Sequence, residues 1–181
     1  SRGRVHGNII ELEPGKLVCL LRSRAADHIY RSESNDNGET WSVPVPTPLR
    51  NNNASISAIK LQSGALAIIY NDVSFNEDGS LTVWPDQRCP VAMAISEDGG
   101  KTWPWRRIVE HGEGFIGPWN DVNNRRYEYP VMMQSKDGKI HAAYAWGRRV
   151  RIKYVCVDEA WIRGAKVCKG AEDNPEMPCN R

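Results

Sequence analysis

One eight-residue pattern occurs twice in this chain of 181 residues and constrains its fold more than any other feature. Residues 34–41 read SNDNGETW and residues 96–103 read SEDGGKTW, so both copies share the pattern S-x-D-x-G-x-T-W. A motif that recurs with the same offsets is typical of a repeat architecture. We therefore expect the chain to be built from similar structural units.

The residue types of the motif indicate a tight turn between two strands. Asp36 and Asp98 can accept hydrogen bonds from nearby backbone amides, as turn aspartates do. The glycine at the fifth position can adopt a positive φ at low cost. The tryptophan that closes each copy, Trp41 or Trp103, is expected to begin the next strand and to be buried as an anchor. The motif thus predicts turn caps and packing residues, and no catalytic acid.

Short β-rich runs separated by turn residues fill most of the chain. They form three units of three or four strands, over about residues 5–50, 51–115 and 125–162, with a helical turn expected at residues 158–162. Residues 163–181 read as a polar tail. Short, evenly spaced strands with repeated tryptophans are the sequence pattern of a β-propeller. The sequence therefore predicts an all-β fold of about three propeller blades.

Three blades are too few for a closed ring, which usually contains four to eight. Since each blade buries its faces against its neighbours, an open piece would expose apolar faces and strand edges. The chain opens on SRGR with neither an initiator methionine nor a signal-peptide pattern, which is expected of a processed product or a fragment. We therefore expect an N-terminal half or a second chain to complete the ring.

Composition excludes several classes of partner. The 24 Lys and Arg residues nearly balance the 22 Asp and Glu residues, and no block of like charge predicts a nucleic-acid site. No apolar run approaches the ~20 residues of a membrane span. No cluster of His and Cys has metal-ligand spacing, so we expect neither a zinc site nor a cofactor.

The five cysteines suggest a compartment. Cys19 and Cys156 lie within apolar strand-like runs and are expected to be buried thiols. Cys168 and Cys179 lie in the polar tail, where a disulfide between them would be a reasonable staple. Such a bond would imply a secreted, extracellular or lumenal protein.

The chain resembles the C-terminal half of a sialidase-like, six-bladed propeller. In that family the repeated motif is called the Asp-box, or bacterial neuraminidase repeat. The resemblance extends over about residues 5–161 and is carried best by residues 21–32, 46–53 and 144–149. It implies a chain that handles an anionic sugar.

The resemblance also implies a set of site residues. Sialidases clamp the substrate carboxylate with three arginines, whose planar fork binds a carboxylate bidentately. Arg22 and Arg88 match two of these positions, and the third arginine and the acid/base aspartate would lie outside this chain. Sialidases use a tyrosine nucleophile, which Tyr129 matches. Tyr129 could equally be a strand residue that packs against a neighbouring blade.

One position departs from the sialidase pattern. The glutamate that activates the tyrosine is replaced by His6, which could take a phenolic proton but could also be an ordinary surface histidine. Glu128 is a further candidate base. However, neighbours in a strand point to opposite faces, so Glu128 is poorly placed to reach Tyr129.

Further polar residues lie at predicted strand ends near the expected central opening. Asn51, Asn53 and Asn71 carry amides that suit sugar hydroxyls, although amides also suit turns. Arg148, beside Arg149, is a further candidate for substrate binding, although both could be solvated charges.

Three functions therefore remain open. The first is an exo-α-sialidase type of glycoside hydrolase acting on an anionic sugar or sialoside. The second is a non-catalytic glycan-binding or assembly propeller, which the histidine at position 6 favours. The third is a different uronate-directed hydrolase or lyase on the same scaffold.

Overall fold

The computed structural model of the chain describes residues 3–75, 82, 84–85, 87–112, 126–147 and 149–164. These residues form eleven strands in three antiparallel sheets and one short helix. The all-β prediction is therefore confirmed. The predicted tail lies almost entirely outside the described residues, and so do Cys168 and Cys179.

Each sheet is made from consecutive strands. The first contains β1 (Arg4–Glu13), β2 (Lys16–Ser23), β3 (His28–Ser34) and β4 (Val45–Arg50), paired in that order. The second contains β5 (Ser57–Lys60), β6 (Leu66–Asn71), β7 (Val91–Ser96) and β8 (Trp105–Glu110), also paired in order. The third contains β9 (Glu128–Gln134), β10 (Ile140–Trp146) and β11 (Arg151–Val157), followed by the helix α1 (Glu159–Arg163).

The second sheet lies between the other two and is buried on both faces. Leu66, Ile68 and Tyr70 of β6 pack into one apolar core with the first sheet. Ala67 and Ile69, which alternate with them, pack into a second core with the third sheet. Because side chains of a strand alternate between faces and both faces of β6 are covered, its sequence is almost entirely apolar.

The repeated motifs form the expected turns. The Asp36 carboxylate accepts a hydrogen bond from the Thr40 backbone N–H at 2.9 Å and another from the Ser34 hydroxyl at 2.7 Å. Asp98 repeats this pattern with the Thr102 backbone N–H at 2.9 Å and the Ser96 hydroxyl at 2.8 Å. Both aspartates therefore cap turns, as the motif predicts.

The start predicted for the fourth strand of the first two sheets was wrong. Trp41 and Trp103 do not begin strands, because each indole folds back and donates its N–H to the motif glycine carbonyl, at 3.0 Å and 3.2 Å. The fourth strands begin only at Val45 and Trp105.

The prediction that both tryptophans are buried was half right. Trp103 is 5% exposed because it lies in the core between the first and second sheets. Trp41 is 37% exposed, since it occupies the equivalent place on the first sheet, where no sheet formed by the described residues covers it.

Of the two cysteines predicted to be buried, one is buried and the other is exposed. Cys19 is buried, and burial raises the pKa of its thiol. Cys156 is exposed, contrary to expectation, because β11 is the outermost strand of the third sheet and no fourth strand of that sheet is among the described residues.

The helical turn expected at residues 158–162 is confirmed. Asp158 caps α1 by accepting a hydrogen bond from the Trp161 backbone N–H at 2.8 Å. Ile162 is fully buried between the second and third sheets, and the Arg107 guanidinium donates to the Trp161 carbonyl at 2.6 Å. No helix in the described part of the chain is long and apolar enough to cross a membrane.

Candidate functional site

The strand order brings the predicted site residues to one end of the three sheets. His6 lies near the start of β1 and Arg22 near the end of β2, which is antiparallel to it. Arg88 precedes β7, Tyr129 is the second residue of β9, and Arg149 precedes β11. The repeat turns follow β3 and β7 and therefore lie at the opposite end.

Two of these residues lie in β-bulges. Between Val5 and Asn8 the register of β1 against β2 shifts by one residue, at His6 and Gly7. The register of β9 against β10 shifts likewise between Glu128 and Val131, at Tyr129 and Pro130. Bulges re-aim a side chain and are frequent beside active sites.

Backbone strain is concentrated at the same place. Six described non-glycine residues have a positive φ, and three of them are His6 at 52°, Tyr129 at 53° and Arg149 at 71°. A left-handed conformation is unfavourable for such large side chains and persists only where the surroundings impose it. This concentration marks the strand end as a candidate functional site.

Arg22 is a buried cation that lacks a described counterion. Arg22 is only 8% exposed, and its Nε has no hydrogen-bond partner. Its Nη1 makes a long contact of 3.5 Å with the Ser55 hydroxyl. Burial lowers the pKa of Arg22, and the positive charge of Arg88 lowers it further. No carboxylate among the described residues lies within ion-pair distance of Arg22, so the site favours an incoming anion.

Glu128 organises the arginines on the other side of the site. Its side chain is 1% exposed, and its Oε1 accepts from the Arg88 Nη1 at 3.0 Å. Arg126 lies at 3.8 Å from the same oxygen, and Arg149 Nε donates to Oε2 at 2.6 Å. Burial lowers the pKa of Arg88, while the Glu128 charge opposes that shift.

Tyr129 lies at the surface and contacts Arg149. Tyr129 is 50% exposed whereas Glu128 is fully buried. The Tyr129 hydroxyl accepts a hydrogen bond from Arg149 Nη2 at 3.0 Å, and the Arg149 guanidinium lies 5.0 Å from the tyrosine ring centre. The structure therefore places Tyr129, Arg22 and Arg88 at the same end of the sheets.

His6 lies on the Arg22 side of this group. The Arg22 charge is the main cause that lowers the pKa of His6, with burial and the Arg24 charge adding to it. The imidazole is therefore neutral near pH 7 and able to accept a proton. Among the described residues, no hydrogen bond joins His6 to Tyr129.

The three predicted asparagines are buried behind the site. Asn51 accepts from the backbone N–H groups of Ser23 at 3.3 Å and Asn53 at 2.9 Å, contacts that are typical of a turn residue. Asn71 donates to the carbonyl oxygens of Arg88 at 2.7 Å and Tyr127 at 3.3 Å. The Asn51 and Asn71 amides therefore hold the backbone beside Arg22, Arg88 and Tyr129.

Sequence reasoning singled out Arg148 of the two neighbouring arginines, and Arg148 lies outside the described residues. It left Arg149 aside as a possible solvated charge, yet Arg149 contacts Tyr129. The signal for Glu128 was present in the sequence, because it occupies a buried position of β9 in alternation with exposed Tyr129 and Val131. A charged residue at a core-facing position requires partners of opposite charge.

The described residues contain no group of three or more His, Cys, Asp or Glu side chains that could hold a metal ion. The site has instead the composition of an anion-binding site, with several arginines around one exposed phenol.

Comparison with known proteins identifies the family. Residues 1–142 match the BNR repeat-like domain family. No curated protein sequence matches the chain. Solved structures do match, including Hadza microbial sialidase Hz136, with a TM-score of 0.66 and 19% identity over 88% of this chain and 28% of that one.

Two further matches agree with it. The NanB sialidase from Streptococcus pneumoniae has a TM-score of 0.65 and 15% identity, over 86% of this chain and 23% of that one. The intramolecular trans-sialidase from Ruminococcus gnavus has a TM-score of 0.62 and 22% identity, over 87% of this chain and 33% of that one.

These identities are low, so the structural matches establish the fold alone. The chain spans between 23% and 33% of the length of these three structures. The family match covers most of the chain, and the three sheets are blades of the propeller found in sialidases. The chain therefore belongs to the sialidase-like BNR repeat-like domain family.

Proposed function

We propose that the protein containing this chain is a sialidase-like glycoside hydrolase of the exo-α-sialidase type, acting on an anionic sugar. The observation that carries the proposal is Arg22, a buried guanidinium with no ion-pair partner among the described residues, at the same end of the sheets as Arg88 and Tyr129. An uncompensated buried charge is costly, and a substrate carboxylate would remove that cost. The sialidase fold of the chain supports this reading of the site.

In the proposed reaction each residue of this chain has one role. Arg22 and Arg88 bind the sugar carboxylate, and the Tyr129 oxygen attacks the anomeric carbon. A neutral phenol suits this carbon, because a carboxylate nucleophile would be repelled by the substrate carboxylate. His6, whose pKa is lowered, is the proposed base for the phenolic proton.

The remaining parts of the machinery are proposed to lie outside this chain. A propeller blade buries its faces against neighbouring blades, and the third sheet exposes Val131, Met133 and Ile152 on one face. We assign that face to further blades of a longer protein, which would bring the third arginine and the general acid. A secreted or lumenal location would suit an enzyme acting on sialosides.

The test is the Tyr129→Phe variant of the complete protein, assayed on a fluorogenic sialoside. We expect kcat to fall by roughly two to three orders of magnitude, because the nucleophile is lost. Tyr154→Phe is the matched control, since Tyr154 is a tyrosine of the same sheet whose hydroxyl bonds His141. It should keep the wild-type rate.

The assay also separates the other two functions. A glycan-binding propeller would bind the sialoside without releasing sialic acid. A uronate-directed hydrolase or lyase would leave the sialoside intact and cleave a uronate-containing oligosaccharide, with products distinguishable by mass spectrometry. Turnover that is equal in Tyr129→Phe and wild type would contradict the nucleophile assignment.

A further inference from the structure

Arg149 contacts both Tyr129 and a buried carboxylate. Its Nη2 donates to the Tyr129 hydroxyl oxygen at 3.0 Å, and its Nε donates to Glu128 at 2.6 Å. The hydrogen bond to Glu128 is the main cause that raises the pKa of Arg149, so the guanidinium remains charged throughout the working pH range. A fixed positive charge therefore lies at hydrogen-bond distance from the phenolic oxygen.

Glu128 holds the Arg149 guanidinium in its position beside Tyr129. Arg149 by itself is a long, half-exposed side chain, with 55% of its surface accessible. Two bonds to Glu128, at 2.6 Å from Nε and 3.4 Å from Nη2, hold its planar fork in one orientation. Glu128 is bound at the same time to Arg88 at 3.0 Å. One buried carboxylate thus couples an arginine assigned to the substrate carboxylate with the arginine at the tyrosine.

The same contacts exclude Glu128 as the base. Both of its oxygens accept from arginines, and its side chain is buried. Arg149 cannot be the base either, because a guanidinium has no acceptor. What Arg149 can do is stabilise the negative charge that develops on the tyrosine oxygen once its proton has left.

We propose that Arg149 is the group that stabilises the Tyr129 phenolate, and that Glu128 is the positioning residue that holds the guanidinium groups of Arg149 and Arg88 in place. This proposal rests on the proposed function. In the step concerned, the Tyr129 hydroxyl gives its proton to a base, for which His6 is our candidate. Its oxygen then bonds to the anomeric carbon as the bond to the leaving oxygen breaks, and the leaving oxygen takes a proton from a general acid.

The first test compares Arg149→Met with Arg149→Lys and Glu128→Gln in the complete protein. We expect Arg149→Met to lower kcat on a fluorogenic sialoside by roughly a hundredfold, as loss of one charge-stabilising donor does. The pH at which kcat reaches half its maximum should rise by about one unit. Arg149→Lys keeps the charge without the fork and should recover part of kcat. Affinity for a non-covalent didehydro-sialic acid analogue should change less than about threefold, because Arg22 and Arg88 are intact.

Glu128→Gln should reduce kcat and should also weaken binding of the analogue, since it releases both Arg149 and Arg88. Arg151→Met is the matched control, an exposed arginine that follows Arg149 by two residues and contacts Trp146. It should behave as wild type. Unchanged kcat in Arg149→Met would overturn the proposal. A parallel loss of kcat, analogue affinity and melting temperature would overturn it too, because that pattern indicates a structural role.

A second readout does not depend on turnover. Tetranitromethane nitrates the phenolate form of tyrosine, and Tyr129 is 50% exposed. Peptide mass mapping gives the nitration rate of Tyr129 in each variant under the same conditions, with Arg151→Met as the control. We expect Arg149→Met to lower that rate by roughly fivefold to tenfold relative to wild type, even if the sialoside is not the substrate. A rate that is unchanged or higher would contradict the role of Arg149.

Discussion

At the scale of single residues, the repeat motif and the candidate site have different tasks. Asp36 and Asp98 bond backbone and hydroxyl groups of their own turns, at the end of the sheets remote from Arg22 and Tyr129. The hydrogen bond from the Thr40 hydroxyl is the largest cause that lowers the pKa of Asp36 from 3.8 to about 2. The aspartates therefore stabilise turns, and this role has a pH dependence that can be measured.

We predict that the Asp36 turn loses stability in acid. The pKa of Asp36 is lower in the folded than in the unfolded chain, so its stabilisation is complete above the unfolded value and is lost as pH falls towards 2. The difference in unfolding free energy between wild type and Asp36→Asn should be constant above about pH 5 and shrink below about pH 4. Urea unfolding at several pH values measures it. Glu39→Gln, at a neighbouring exposed carboxylate, is the control, and an equal acid dependence of both differences would contradict the role of Asp36.

At the scale of elements, the bulges determine which residues face the site. Gly7 follows His6 in the β1 bulge, and a Cβ there would lie 2.6 Å from the Cys19 sulfur. The chain can pass that close to β2 only because residue 7 is glycine. The conformation of His6 thus depends on a neighbour that has no chemical role of its own.

We predict that Gly7→Ala destabilises the first sheet by about 1–3 kcal/mol through overpacking. Cys19→Ala removes the sulfur that the new methyl group would meet, so the double variant should recover part of that loss. A double-mutant cycle in denaturant unfolding gives the coupling. Strictly additive effects would show that the Gly7–Cys19 contact is not the cause.

Much of this element structure follows from the sequence, and the exceptions have physical causes. Short β-rich runs predicted the three units of three or four strands, because alternation and turn residues are local signals. The bulges at His6 and Tyr129 were not predicted, because one extra residue in a short strand does not produce a recognisable change in the alternation of polar and apolar residues. The start of β4 was misplaced because the Trp41 indole folds back on its own turn, a contact that composition does not reveal.

The candidate site was predicted in part, through the resemblance. The positions of Arg22, Arg88 and Tyr129 came from a family pattern, and the fold brings them to one strand end. The link between Glu128 and Arg149 could not be predicted, because it joins β9 to a turn 21 residues later in the chain. Long-range side-chain pairs of this kind depend on how strands pair and not on local sequence.

At the scale of the whole molecule, burial is asymmetric among the three sheets. Strands β6 and β7 of the second sheet are buried throughout, because the first and third sheets cover both of its faces. The first and third sheets each have one covered face, and large apolar residues such as Ile9 and Val131 are exposed on the other. This arrangement fits blades whose remaining neighbours belong to a larger propeller.

We have proposed that Tyr129, at the same strand end as Arg22 and Arg88, is the nucleophile of a sialidase-like reaction. The most direct measurement is covalent trapping of the complete protein with a fluorosialyl fluoride, followed by peptide mass mapping. The fluorine slows breakdown of the glycosyl-enzyme, so the intermediate of a retaining enzyme accumulates on its nucleophile. We predict one sialyl label per chain, on Tyr129, and none in Tyr129→Phe. A label on another residue, or sialoside hydrolysis that proceeds with Tyr129 unlabelled, would show that Tyr129 is not the nucleophile.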